Sequence, residues 1–127
     1  MDQFKDKKIL IADDEPFVRS LVKKLLGKNC TVLEANDGKE AVNVALSQKP
    51  DLILMDILMP KMDGLTACYT IKMNQATKEI PVIMLTAVDY ELDKKLAKQM
   101  GADGYITKPF SLQDLKKTIG RLLKSPG

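Results

Sequence analysis

The stretch Lys49-Pro50-Asp51-Leu52-Ile53-Leu54-Met55-Asp56 decides the fold. Lys49-Pro50-Asp51 reads as a turn, since proline presets the turn dihedral and an Asp side chain bonds its local backbone. Leu52 to Met55 is apolar at every position, with no alternation between faces. A strand of that kind is covered on both sides, as a central parallel strand is, whereas a strand wetted on one face alternates. The run stops at Asp56. Two other runs stop the same way: Lys8–Ala12 meets Asp13-Asp14, and Gly104–Thr107 meets Lys108.

Two further strands complete the set. Thr31–Ala35 is a short one, and Pro81 introduces another over Val82–Leu85. Helices are expected between them. Glu15–Leu26 carries Phe17, Val18, Leu21, Val22, Leu25 and Leu26 as one apolar stripe, with Asp14 as its cap, Pro16 in its first turn and Gly27 at its end. Asp37-Gly38-Lys39-Glu40 reads as a capping box opening a helix to about Ser47, with Ala41, Val44 and Ala45 inward. Pro60 to Gly64 is a loop, with Asp63 shaping a turn, and Leu65–Asn74 follows as a helix. Another covers about Tyr90–Met100, ended by Gly101. The last runs over Ser111–Leu123, capped by Ser111 and Asp114, with Phe110 and Leu115 at hydrophobic-staple positions. Five strand–helix units with strands buried on both faces predict a doubly wound α/β fold, a five-stranded parallel sheet with five helices and right-handed crossovers. One domain is expected, its core spanning about residues 7–124.

Composition agrees. The 127 residues are 45% hydrophobic and 29% charged, ordinary values for a globular domain long enough to bury a core. No apolar run approaches the roughly 20 residues of a membrane span. The charged N-terminus leads straight into a strand, so no secretion signal is read and a cytoplasmic protein is expected. Cys30 and Cys68 form no C-x-x-C pair and are read as reduced. Histidine is absent, which removes the commonest metal ligand and general base. Residues 90–124 hold eight Lys/Arg against four Asp/Glu, so Lys94, Lys95, Lys98, Lys116 and Lys117 read either as solvated helix faces or as a surface docking an acidic partner. The overall charge of +3 is too weak to argue for nucleic acid.

In a doubly wound sheet, ligands bind outside the carboxyl ends of the strands. Taken singly, Asp13 and Asp14 are turn or cap residues, Lys108 a solvated strand end, and Thr86 a β-branched terminator. Together they place three carboxylates, an ammonium and a hydroxyl at one rim. Two carboxylates about 4 Å apart repel by roughly 4 kcal/mol at an effective dielectric near 20. So costly a cluster points to a bound cation, and oxygen ligands select a hard one such as Mg²⁺. A carboxylate beside Mg²⁺, a lysine and a hydroxyl can accept a phosphoryl group by positioning and charge stabilisation alone.

The ordered set Asp13-Asp14, Met55-Asp56 through Pro60-Lys61-Met62-Asp63-Gly64, Thr86-Ala87 and Lys108-Pro109-Phe110 resembles the response-regulator receiver (CheY-like) family over essentially the whole chain. The resemblance implies strand order 2-1-3-4-5 and a role for each position. Asp56 is the phosphoacceptor for a sensor histidine kinase or a histidine phosphotransfer protein. Asp14, Asp13, Asp56 and the Leu58 carbonyl hold Mg²⁺ (or Mn²⁺). Thr86, Ala87 and Lys108 bind the phosphoryl group, and the Lys108–Pro109 bond is cis. Thr86 and Tyr105 form a switch that alters the surface of helix four, strand five and helix five, and so an output protein or fused effector domain. The domain is expected to act as a phosphoacceptor rather than as an enzyme, and to bind neither nucleic acid nor membrane itself.

Departures from the family pattern bear on rate. Leu58 is apolar where many members are polar; it either slows self-dephosphorylation, being unable to orient water, or packs on a neighbouring loop. Val88 makes the entrance more apolar, and Asp103-Gly104 replaces an acid pair carried by dimerising DNA-binding regulators. Three other readings compete: a flavin binder, disfavoured by Asp13-Asp14-Glu15-Pro16 where phosphate would sit; an Mg²⁺-dependent aspartyl phosphatase, disfavoured because Asp56 is followed two residues on by Leu58; and a receiver that binds partners without phosphorylation.

Overall fold

A computed structural model describes residues 4–28, 30–87 and 91–123. Five strands alternate with five helices: β1 (Lys8–Ala12), α1 (Pro16–Leu26), β2 (Thr31–Ala35), α2 (Gly38–Gln48), β3 (Leu52–Met55), α3 (Gly64–Met73), β4 (Val82–Thr86), α4 (Glu91–Gln99), β5 (Gly104–Thr107) and α5 (Leu112–Leu122). All neighbours are parallel, in the order β2-β1-β3-β4-β5.

The apolar run of β3 explains its place. Ile53 and Met55 pack with Leu10, Ala12, Val82 and Met84 beneath α2, α3 and α4, while Leu52 and Leu54 join Ile9, Ile11, Ile83 and Leu85 beneath α1 and α5. All four β3 side chains are fully buried. Each contributes about 1.5–3 kcal/mol by leaving water, which only a doubly covered position allows. β1 sits beside β3, and the helices that follow these two strands pack on opposite faces. Their connecting loops diverge and open a crevice at that switch point.

Several expectations are adjusted by the packing. In α1 the buried row is Val18, Val22 and Leu26, whereas Phe17 is 75% exposed. Phe17 stands beside Val18 in the first turn but about 100° round the helix from the inward row Val18, Val22 and Leu26. The α1 cap position is Glu15 rather than Asp14, with no side-chain cap bond. The Asp13 carboxylate instead accepts the Glu15 N–H at 2.9 Å. At α2, Asp37 accepts the Glu40 N–H at 2.7 Å, but the Glu40 carboxylate takes its return bond from Asn36, one residue before the cap. At α5 both halves of the Ser111–Asp114 box are present. The expected helix start at Tyr90 and the apolar Val88 lie outside the described residues. Cys30 and Cys68 are not joined in a disulfide, and burial pushes the Cys68 thiol up to about 11, despite Lys72 nearby.

Candidate functional site

The cluster is built by strand ends. Asp13 is the first residue past β1; its N–H still bonds Ala35 O at 3.0 Å, continuing the ladder, and its side chain is fully buried. Asp56 is the first past β3, held by its N–H to Ala12 O at 2.9 Å and 6% exposed. Lys108 is the first past β5, its N–H bonded to Thr86 O at 2.8 Å, and its peptide bond to Pro109 is cis. Between β3 and β5 lies β4, which ends at the small, buried Thr86. Strands are spaced by about 4.8 Å, so the four-carbon lysine stem crosses the end of β4 toward Asp56, and Asp13 meets it from β1 on the far side of β3. Lys108 Nζ reaches Asp13 Oδ2 at 2.8 Å, Asp56 Oδ2 at 3.5 Å and Glu15 Oε1 at 3.5 Å.

These groups perturb one another. Burial raises the Asp56 pKa above the ordinary carboxylate value; the Lys108 charge opposes this, the Asp13 charge adds to it, and hydrogen bonds from the Thr86 hydroxyl and the Ile57 N–H oppose it. For Lys108, burial works against the charge. The Asp13 hydrogen bond and the charges of Asp56, Asp13 and Glu15 outweigh it, so the ammonium is held above its ordinary range.

Above the cluster opens a cleft of about 280 Å³ lined by Asp14, Glu15, Asp56, Leu58, Thr86, Ala87 and Lys108. Carboxylate oxygens of Asp13, Glu15 and Asp56 lie within 4.8 Å of one another, the one such trio among the described residues. Asp14 is exposed at the rim, outside that trio. Glu15 was read from sequence as a helix start and as part of an acidic run unsuited to phosphate, but not as a cation ligand; the signal for that was its place in the run 13–15. All these donors are hard oxygens, a set that fits Mg²⁺. Leu58 is 65% exposed on the cleft and so is not buried against a loop. Gly64 seats the loop beneath: a Cβ there would lie 1.8 Å from the Asp56 carbonyl oxygen.

Tyr105 is not in this cleft. It is half-buried and lines a second pocket of about 210 Å³ with Lys94, Ala97, Lys98, Ala102, Asp103 and Gly104. Lys94 Nζ stands 5.7 Å from its ring centroid, within the range of a cation–π contact. Lys95, Lys116 and Lys117 are exposed.

The family model for the response regulator receiver domain matches residues 9–120. The chain belongs to the response regulator receiver domain family. Receiver domains are the signal-accepting modules of two-component phosphorelay signalling, working with histidine kinases and output effectors. Relatives include the alkaline phosphatase synthesis transcriptional regulatory protein PhoP of Bacillus subtilis, 40% identical over 94% of this chain and 49% of that protein. The transcriptional regulator RpaA of Synechocystis is 38% identical over 92% of this chain and 49% of its own length. The chain thus spans about half the length of the curated relatives it matches. Among solved structures, a putative response regulator from Chloroflexus aurantiacus superposes with a TM-score of 0.88 at 32% identity, covering 94% of this chain and 98% of that one. The receiver domain of sensor histidine kinase PA1611 from Pseudomonas aeruginosa, solved with a magnesium ion coordinated in its active-site cleft, gives 0.87 at 30% identity, covering 94% and 99%. No helix among the described residues is long and apolar enough to cross a membrane.

Proposed function

We propose that this receiver accepts a phosphoryl group on Asp56 from the phosphohistidine of a sensor kinase or histidine phosphotransfer protein. The observation that carries the reading is Lys108 Nζ shared between Asp13 and Asp56 at the mouth of a carboxylate cleft. An Asp56 oxygen attacks phosphorus, and the bond from phosphorus to the donor imidazole breaks. The imidazole nitrogen keeps the electron pair and takes a proton, so no proton relay is required of this chain. Lys108, and the Thr86 hydroxyl now bonded to Asp56, turn to the transferring oxygens, with the exposed Ala87 backbone beside them. Asp13, Asp14, Asp56 and the Leu58 carbonyl would hold Mg²⁺ or Mn²⁺, with Glu15 as an added oxygen donor. The cation supplies neutralisation of charge on those oxygens when bound.

Output follows from Thr86. Drawn toward the phosphoryl group, it vacates space that the Tyr105 ring enters, which breaks the Lys94 contact and reshapes the α4–β5–α5 surface. Relatives of twice this length that are transcriptional regulators support an effector, fused or separate, as the recipient. Leu58, exposed on the cleft and unable to orient water, favours a long-lived aspartyl phosphate. Acetyl phosphate with Mg²⁺ followed by intact mass tests the reading. A single phosphoryl adduct is expected, absent in Asp56→Asn; an adduct that persists in that variant names another acceptor.

A further inference from the structure

We infer that Arg19 is a positioning residue for the acidic loop 13–15, and through it for cation binding. This rests on reading the cleft as a cation site. Arg19 does not line the cleft. It lies on α1 with its side chain only 17% exposed, and its guanidinium is fixed at two points. Nε donates to Glu34 Oε1 on β2 at 3.1 Å, and Nη1 donates to the backbone carbonyl of Asp13 at 2.7 Å.

The carbonyl is what matters. The β1 ladder ends at Ala12, paired with Ala35 on one side and Met55 on the other. Asp13 N–H still finds Ala35 O, but its carbonyl has passed the last strand partner, on a residue that is fully buried. A buried carbonyl needs a donor, and among the described residues Arg19 supplies it. That bond sets the plane of the Asp13–Asp14 peptide, hence the direction in which Asp14 leaves the strand. Glu34 aligns the guanidinium, and the rigid planar fork holds both acceptors from two separate nitrogens, a fixed geometry that the single flexible ammonium of a lysine does not reproduce.

Charge and geometry predict opposite signs. Were Arg19 only a positive charge near the acids, removing it would tighten cation binding. As a positioning residue, removing it loosens binding, much as outer-shell partners of metal ligands do. The test is calorimetric titration of MgCl₂ into the chelator-stripped protein at fixed ionic strength, for wild type, Arg19→Met and Arg19→Lys, with urea unfolding alongside to confirm that each is folded. Arg19→Met is expected to raise Kd roughly tenfold and Arg19→Lys, with charge kept, about 2–5-fold. If Arg19→Met does not fold, Arg19→Lys decides alone. Unchanged Kd in Arg19→Lys, or tighter binding in Arg19→Met, overturns the inference and leaves the cation site standing. No Mg²⁺ binding by wild type overturns both.

Discussion

Replacing Asp56 with Asn should stabilise the metal-free domain. The Asp56 charge meets the Asp13 carboxylate within 4.8 Å, a repulsion of about 3.5 kcal/mol at an effective dielectric near 20. Glu15, whose side chain is 63% exposed, adds only about 1 kcal/mol after solvent screening. Lys108 at 3.5 Å returns about 5 kcal/mol on the same scale. These terms nearly cancel, so the burial of a 6%-exposed carboxylate remains uncompensated, in line with the upward shift of its pKa, first from burial. Asn keeps an oxygen for Thr86 and Ile57 and offers an amide N–H to Asp13. A gain of about 1–3 kcal/mol in chelator at neutral pH is expected, below the full desolvation of an ion. The sign with pH follows. Between the ordinary carboxylate value near 3.8 and the higher folded value, the native state binds more protons than the unfolded one. Wild-type stability from this group is therefore present at low pH and lost as pH rises through that window. The advantage of Asp56→Asn should grow over the same window and then level off. Mg²⁺ at a hundredfold excess over Kd returns about 2.7 kcal/mol to wild type and closes the gap. Urea unfolding with and without chelator, from acid to neutral pH, reads all three. A variant no more stable than wild type in chelator, or a gap indifferent to pH, refutes the reasoning.

Leu58→Asn supplies a polar group that can orient water, so loss of the phosphoryl group should quicken roughly 3–10-fold; radiolabel decay measures it, and an unchanged half-life removes any role for Leu58. Gly64→Ala forces a Cβ to 1.8 Å from the Asp56 carbonyl oxygen and should cost about 2–3 kcal/mol in urea unfolding. An unaltered midpoint would show that the loop has room to yield. Lys108→Gln strands the buried Asp13 carboxylate. It should lose about 3 kcal/mol in chelator and bind Mg²⁺ more tightly by calorimetry, whereas weaker binding would mean that Lys108 orders the cation site.

From sequence alone, Leu52-Ile-Leu-Met55 set a doubly covered central strand, and the arrest of three apolar runs at Asp13, Asp56 and Lys108 placed the polar groups at strand ends. Those are local facts: a strand's periodicity and its stop are written in neighbouring residues. Ser111 and Asp114 announced their cap for the same reason. What no local pattern contains is the path of a side chain across other strands. That Lys108 passes the end of β4 to bridge Asp13 and Asp56 depends on sheet order. Glu15 joining the trio while Asp14 stands at the rim depends on how the chain leaves β1. Phe17 looked like core because its spacing is helical, yet the row that packs inward is Val18, Val22 and Leu26, and Phe17 is left outside it. Nothing in the sequence around Arg19 singles it out, and only the fold brings it to a carbonyl that has run out of strand partners.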